Sequence, residues 1–205
     1  LVVDQVKAST TRVGEQADGL VKRAVDATYD GNDVINDDGT DQTKLQSVST
    51  DVKAVYHIKI ENNSSTRPEV FNLTGPAGGG GWTVEYYPAK VGGSPITAQV
   101  TGAGYRLPVL AAGAYTEVRA EVTPDATVVG GATKDLLVFA QGVANANAAG
   151  NTANRDAVLA RTRKAVDYQP DALIKNSGEA VGDYTGDSVY DVSGALAPKW
   201  QTVAS

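Results

Sequence analysis

An all-β antiparallel sandwich, built from a unit that recurs along the chain, is what the 205-residue sequence predicts. Three observations carry that expectation. Apolar residues alternate at period two in six segments, turn-forming residues punctuate them, and the chain resembles itself at a spacing of about 153 residues. Strands separated by turns, without a sustained helical period, pack as two layers of sheet.

In AVYHIKIE (54–61), Ala54, Tyr56, Ile58 and Ile60 share one face while Val55, His57, Lys59 and Glu61 share the other, the pattern of a half-buried strand. The same alternation predicts strands over WTVEYY (82–87), ITAQVT (96–101), YTEVRAEVT (115–123), DLLVFAQGVA (135–144) and DAVLARTR (156–163). The separators are NNSSTRP (62–68), GPAGGGG (75–81), VGGSP (91–95), TPDATVVGG (123–131) and NANAAGN (145–151). Residues 108–113 have some helix propensity, but Pro108 and Gly113 make them a loop. The Gly-rich run before Trp82 lacks the Lys-Ser/Thr and the helix of a phosphate loop, and reads as a hairpin that delivers Trp82 to the core. The expected core is Tyr56, Ile58, Ile60, Phe71, Leu73, Trp82, Val84, Val118, Ala120, Leu137 and Phe139.

Self-similarity appears in three blocks. Asp4, Val6, Ala8 and Thr10 match Asp156, Val158, Ala160 and Thr162 at an offset of 152. Asp18, Leu20 and Lys22 match Asp171, Leu173 and Lys175 at 153, with Val21 over Ile174. Residues 29–50 align over 184–205 at 155 with seven identities: Tyr29/Tyr184, Gly31/Gly186, Val34/Val189, Gly39/Gly194, Lys44/Lys199, Gln46/Gln201 and Val48/Val203. The expected organisation is the last strand of a preceding repeat (1–13), one complete repeat (17–165) and the opening of a following one (170–205). A chain that begins LVVDQV, without Met, reads as processed or as a window on a longer one. On this reading Leu173, Ile174, Val189 and Trp200 belong to an interface completed by a neighbouring copy, head to tail.

The strings YHIKIEN, VFNLTGP, GGGWTVEYY, ITAQVTGAGYRLPVLAAGAYTEVRAEVTP and KDLLVFA resemble an Ig-like module over about 54–163. Such modules occur in tandem in large bacterial surface and secreted proteins, and singly beside glycosidase domains. The resemblance implies an Ig-like antiparallel sandwich, an extracellular or cell-surface location, and a spacer, fibre or adhesin role. The segment 20–50 is long for a simple Ig strand.

Composition narrows the chemistry. The absence of Cys excludes disulfides, thiolate nucleophiles and Cys-ligated metals. A net charge of −6, with RTRK (161–164) as the longest basic run, argues against nucleic acid. No apolar run is long enough for a membrane span. His57 is the only histidine, and its alternation places it on the outward face, where a lone imidazole is a surface residue. No strand-turn-helix nucleophile elbow accompanies it, so the chain reads as a non-enzyme.

YDGNDVINDDG (29–39) offers oxygen ligands in Asp30, Asn32, Asp33, Asn36, Asp37 and Asp38. EF-hand spacing is absent, and in YTGDSVYDVSG (184–194) only Asp187 and Asp191 keep side chains of this kind. What repeats is Tyr, Gly, Val and Gly, so a structural turn is the first expectation. Calcium on Asp30, Asn32, Asp33, Asn36 and Asp38, auxiliary to folding, is the second; no other cofactor is implied. Asn62, Asn63 and Asn72 match the glycosylation sequon. Tyr86, Tyr87, Tyr105 and Tyr115 could stack on sugars, but adjacent Tyr86 and Tyr87 face opposite ways. Lysines near Asn and Asp could form an isopeptide cross-link, although the sequence does not pair them. The expected function is a structural repeat of an extracellular fibre, filament or surface array; the alternative is an adhesin or carbohydrate-binding module of a larger secreted protein.

Overall fold

Alternation becomes two facing sheets in the computed structural model, which describes residues 17–143, 155–166, 173–176 and 178–180. The chain divides into two compact units, Leu1–Val166 and Asp167–Ser205. Within the first, the strands are β1 (Ala17–Arg23), β2 (Thr43–Val48), β3 (Ala54–Asn62), β4 (Phe71–Thr74), β5 (Trp82–Tyr87), β6 (Tyr105–Arg106), β7 (Tyr115–Pro124), β8 (Thr133–Gly142) and β9 (Arg155–Lys164). One helical turn, α1 (Thr97–Val100), lies between β5 and β6. The first sheet has the order β1-β3-β7-β5 and the second β2-β9-β8-β4-β6. The class these sheets define is an all-β, Ig-like sandwich. Among the described residues no helix is long and apolar enough to cross a membrane.

The long segment 20–50 is not one strand. It contributes β1 to the edge of the first sheet, crosses through a loop, and contributes β2 to the edge of the second. This crossing makes β2 run parallel to β9, with Leu45 opposite Arg161, a departure from the purely antiparallel expectation. The other strand pairs are antiparallel, including β1 with β3 (Val21 opposite Ile58) and β8 with β9 (Val138 opposite Val158).

Between the sheets lie Tyr56, Ile58 and Ile60 of β3, Phe71 and Leu73 of β4, Trp82, Val84 and Tyr86 of β5, and Val118, Ala120 and Val122 of β7, all buried. Burying each large apolar side chain stabilises the fold by about 1.5–3 kcal/mol. The Gly-rich hairpin delivers Trp82 as expected: Gly79 and Trp82 exchange backbone hydrogen bonds of 2.8 and 3.2 Å. A side chain on Gly75 would meet the Tyr86 hydroxyl at 2.6 Å, so that corner requires glycine. The Tyr56 hydroxyl donates to the Arg161 carbonyl at 2.5 Å, tying the first sheet to the second.

Two expectations are corrected. ITAQVT is not a strand. Ile96 and Val100, four residues apart, both reach the core, and a spacing of four satisfies a helical turn as well as it does alternation. Pro95 precedes this turn and Gly102 follows it. In β8 the phase is reversed: Leu136, Val138 and Ala140 are buried between the sheets, while Leu137 and Phe139 are half-buried on the outer face. The run LLVFA is apolar on both faces, so alternation cannot choose between them. The loop before β2 partly covers the outer face. Gly39 sits where a side chain would lie 3.3 Å from Leu137 Cδ1, and the Arg155 guanidinium stacks on Phe139 at 4.4 Å.

These placements predict that Trp82→Ala costs about 3–5 kcal/mol and Leu136→Ala about 2–5 kcal/mol. Leu137→Ala should cost clearly less than Leu136→Ala. Urea unfolding of the three variants checks this, and equal losses at 136 and 137 would reject the assigned phase.

Candidate functional site

The polar chemistry of the unit concentrates where β1, the 24–42 loop and β9 meet. Asp156 points inward at the start of β9 and is 1% exposed. Its carboxylate accepts Gly19 N–H at 2.6 Å, Asn36 N–H at 2.9 Å, Gln42 Nε2–H at 2.9 Å and its neighbour Ala157 N–H at 2.8 Å. Burial raises its pKa, and these four hydrogen bonds work against the rise. Gly19 permits the approach, since a side chain there would stand 3.1 Å from both Asp156 Oδ2 and Val158 Cγ1. Ala157 and Leu159 also donate to the Asn36 and Gln42 carbonyls, both at 2.9 Å. One carboxylate thus fastens β1 and the loop leading into β2 to β9. Sequence reasoning did not single out Asp156; the available signal was its recurrence as Asp4 in an otherwise inward-facing apolar series.

Across Gly19 lies a second buried acid. Asp18 is fully buried; its Oδ2 accepts Asp33 N–H at 3.0 Å and Asn63 Nδ2–H at 3.1 Å, while Oδ1 has no hydrogen-bond partner. Burial is the main force pushing its pKa up to about 6, with Asp156 and Glu61 adding repulsion.

The five residues expected around calcium are directed to different partners. Asp30 pairs its backbone with Val21 and its carboxylate with Lys44 at 2.6 Å. Asn32 donates to Asp33 at 2.7 Å, and Asp33 accepts from Asn63 at 3.3 Å. The Asn36 side chain donates to the Thr40 carbonyl at 2.6 Å and accepts Gly39 N–H at 2.7 Å, while Asp38 accepts Thr40 N–H at 2.9 Å. Asp37 pairs with Arg155 at 2.9 Å. Among the described residues no three His, Asp or Glu side chains converge as a ligand set. The glycines have steric reasons to recur: Gly31 (φ 105°) approaches the Gly19 carbonyl and Gln42, and Gly39 (φ 73°) approaches the Leu159 backbone, each closely enough to exclude a side chain.

His57 does lie on the outer face, but it is not a surface residue: it is 6% exposed. Lys22 and Arg119 are its neighbours on adjacent strands. Above this face Tyr29 hydrogen-bonds Glu117, with the Lys22 and Lys59 ammonium groups 5.0 and 5.3 Å from its ring. Burial first, then the Lys90 and Lys22 charges, lower the His57 pKa, and Nδ1 has no hydrogen-bond partner. Alternation identifies a face; it does not reveal that a distant loop covers it.

The other singled-out residues also find places. Asn62 is buried and donates to the Arg67, Leu110 and Ala111 carbonyls, so its amide serves as a structural anchor. Asn72 donates to the Ala103 carbonyl at 3.3 Å. Tyr86 is buried, and Tyr87 stacks with Arg119 at 4.0 Å.

In the second unit, Leu173 and Ile174 are 46% and 49% exposed, whereas their matches Leu20 and Val21 are 2% and 0% exposed. The turn that follows repeats that of the first unit. Lys22 Nζ donates to the Asp26 carbonyl at 3.0 Å, and Lys175 Nζ to the Glu179 carbonyl at 3.1 Å. Arg23 N–H donates to the Asp26 carboxylate at 3.0 Å, and Asn176 N–H to the Glu179 carboxylate at 2.8 Å. Asp26 N–H returns to the Arg23 carbonyl at 3.0 Å, as Glu179 N–H returns to Asn176 at 3.1 Å. Residues 22, 23 and 26 correspond to 175, 176 and 179, all at the offset of 153. Val189, Trp200, the segment 1–13 and the rest of 170–205 lie outside the described residues.

No family model matches the chain, and no curated protein matches it. Similar solved structures include PapD-like domain 7 of human CEP192, with 9% identity over 83% of this chain and 98% of that one at a TM-score of 0.39. The N-terminal domain of PorA shares 13% identity over 71% of this chain and 96% of its own, TM-score 0.37. The class 5 fimbriae chaperone CfaA shares 11% over 63% of this chain and 57% of its own, TM-score 0.30.

The buried Asp18 sets a pH dependence. The ordinary carboxyl releases its proton near 3.8, and Asp18 in the folded unit releases it near 6. Between those values the folded state holds the extra proton, so this group's contribution to stability is greatest at low pH and falls as pH rises from about 4 to about 6. Asp18→Asn should remove that loss and stabilise the unit at pH 7.5 by up to about 3 kcal/mol relative to wild type. Denaturant melts of both proteins at pH 4.5 and 7.5 measure the difference; a variant less stable than wild type at both would refute it.

Proposed function

We propose that the chain is a structural, non-catalytic repeat of an extracellular fibre, filament or surface array, in which successive units follow head to tail. The observation that supports this most is the hydrogen bonding that Lys175, Asn176 and Glu179 share with Lys22, Arg23 and Asp26. Identity within a repeat can arise from composition; three equivalent hydrogen bonds between equivalent atoms require equivalent local structure. The positions that recur are also those with a structural task in the intact unit. Tyr29 reaches Glu117, Lys44 pairs with Asp30, Gln46 accepts Val55 N–H at 3.2 Å, and Val48 is buried.

In this reading 170–205 belongs to a following unit and lies against its body as 17–50 lies against 51–165 here. A body of that kind would cover Leu173 and Ile174, as Leu20 and Val21 are buried in the intact unit. Neighbouring copies are then the partner, and a heterologous contact of this sort propagates without closing. Tyr86 is internal and Tyr87 is engaged by Arg119, so these two do not form a sugar-stacking pair.

Native material should run under denaturing conditions either as one very large species, if units are continuous, or near 21.2 kDa, if subunits interlock. In the second case Leu173→Asp with Ile174→Asp should abolish filaments while the 17–166 unit still melts as wild type. Native material that is monomeric at 21.2 kDa without denaturant would overturn the proposal.

A further inference from the structure

We propose that the end of the first unit from which β9 leaves is a docking surface for the opposite end of a second copy, an inference that rests on the head-to-tail reading above and specifies its junction. β1 enters at Ala17, opposite Asn62 at the end of β3, and Gly19 beside that entry meets Asp156 at the start of β9. β9 finishes at Lys164, opposite Val48 at the end of β2. Entry and exit are therefore different ends of the sandwich. Among the described residues of the first unit nine large apolar side chains are exposed, and seven of them stand at these two ends. Scattered exposed apolar residues need no explanation, whereas exposure gathered on one surface marks an interaction site.

At the exit end Val25, Val52, Val129 and Val166 are 82%, 50%, 76% and 66% exposed, each on a different segment. Hydrogen bonds hold these segments side by side. Gly131 N–H donates to the Lys164 carbonyl at 2.9 Å, and Ala165 N–H to the Val48 carbonyl at 2.8 Å. Asp51 N–H donates to the Pro124 carbonyl at 2.8 Å, and Ala24 N–H to the Val55 carbonyl at 2.9 Å. A side chain on Gly130 would lie 3.1 Å from Val166 Cα, so the turn that carries Val129 adjoins the exit itself. Four stiff β-branched side chains on turns tied in this way lose little conformational freedom when they are covered.

Connectivity names the occupant. The residue that matches Ala17 at the offset of 153 is Pro170, four residues after Val166. Four residues span at most about 14 Å, so the entry end of a following copy is tethered within that distance of the four valines. A tether this short supplies an effective concentration in the millimolar range. The entry end offers the complementary surface, since Ile35, Val109 and Tyr115 are exposed there. Ile35 precedes Asn36, whose N–H meets Asp156. Val109 lies in the loop whose Gly113 N–H donates to the Asn62 carbonyl at 2.9 Å, and Tyr115 lies opposite Glu61. The two apolar surfaces are different, so contact between them is heterologous and repeats in one direction without closing.

The test exploits the absence of Cys, which makes introduced thiols unique. Two variants of the 205-residue chain, Val129→Cys and Val109→Cys, are mixed at about 1 mM, the concentration that the tether would supply, and treated with a short bismaleimide. The mixture should yield about tenfold more cross-linked dimer than either variant alone, because only unlike ends meet. Adding Val25→Asp and Val52→Asp to the Val129→Cys chain should cut that yield about tenfold while the thermal midpoint stays that of the parent. No excess dimer in the mixture overturns the proposal. A dimer formed by Val129→Cys alone, in which exit ends pair with each other, also overturns it, as does a yield that the double substitution leaves unchanged. Native material of many units together with no dimer here removes this docking and leaves the head-to-tail reading intact; native monomers remove that reading itself.

Discussion

Asp156 is the point on which the order of this unit depends. A carboxylate sealed between two sheets is tolerable only with its lone pairs filled, and here four N–H groups from three separate places fill them. Because the donors include the backbone of Gly19 and Asn36 and the side chain of Gln42, satisfying one charge also positions β1 and the loop entering β2. That in turn makes β2 parallel to β9 and allows one N-terminal segment to serve the edges of both sheets. The glycines of the loop follow from the same constraint. At Gly31 the Gly19 carbonyl and Gln42 leave no room for a side chain, a side chain on Gly19 would crowd the Asp156 carboxylate at 3.1 Å, and Gly39 lies against β9.

The outer face of the first sheet shows how burial can be imposed on a polar surface. Lys22, His57, Lys59, Glu61, Glu117, Arg119 and Glu121 form ladders across adjacent strands, and their charges are largely paired within the face. Tyr29 and the 88–93 loop cover part of it; the Arg119 guanidinium donates to the Ala89 and Lys90 carbonyls. Burial, together with the Lys90 and Lys22 charges, consequently lowers the His57 pKa.

These two features bear on a repeat. A unit whose first strand is fastened by an acid at the start of its last strand takes the chain in at Ala17 beside Asp156 and releases it at Lys164, the other end of β9. The recurrence of Asp4 with Asp156, and of Asp18 with Asp171, is what successive units fastened in the same way would require.

Period-two alternation determined the strands 54–62, 82–87, 115–124 and 155–164 and most of the core, because a side chain in a pleated strand has only two faces to choose between. The self-similarity at offsets of 152 to 155 is likewise legible, since it needs only comparison of the chain with itself. Tertiary structure decided the rest. It chose the face of LLVFA, which is apolar on both sides, and turned Ile96 and Val100 into a helical turn. It drew the acids of 30–38 to separate partners, buried His57 on the outer face, and brought Asp18, Asp33 and Asn63 together. Each of these outcomes depends on a residue many positions away, and local pattern carries no information about which distant backbone will supply a donor, a cover or a second carboxylate.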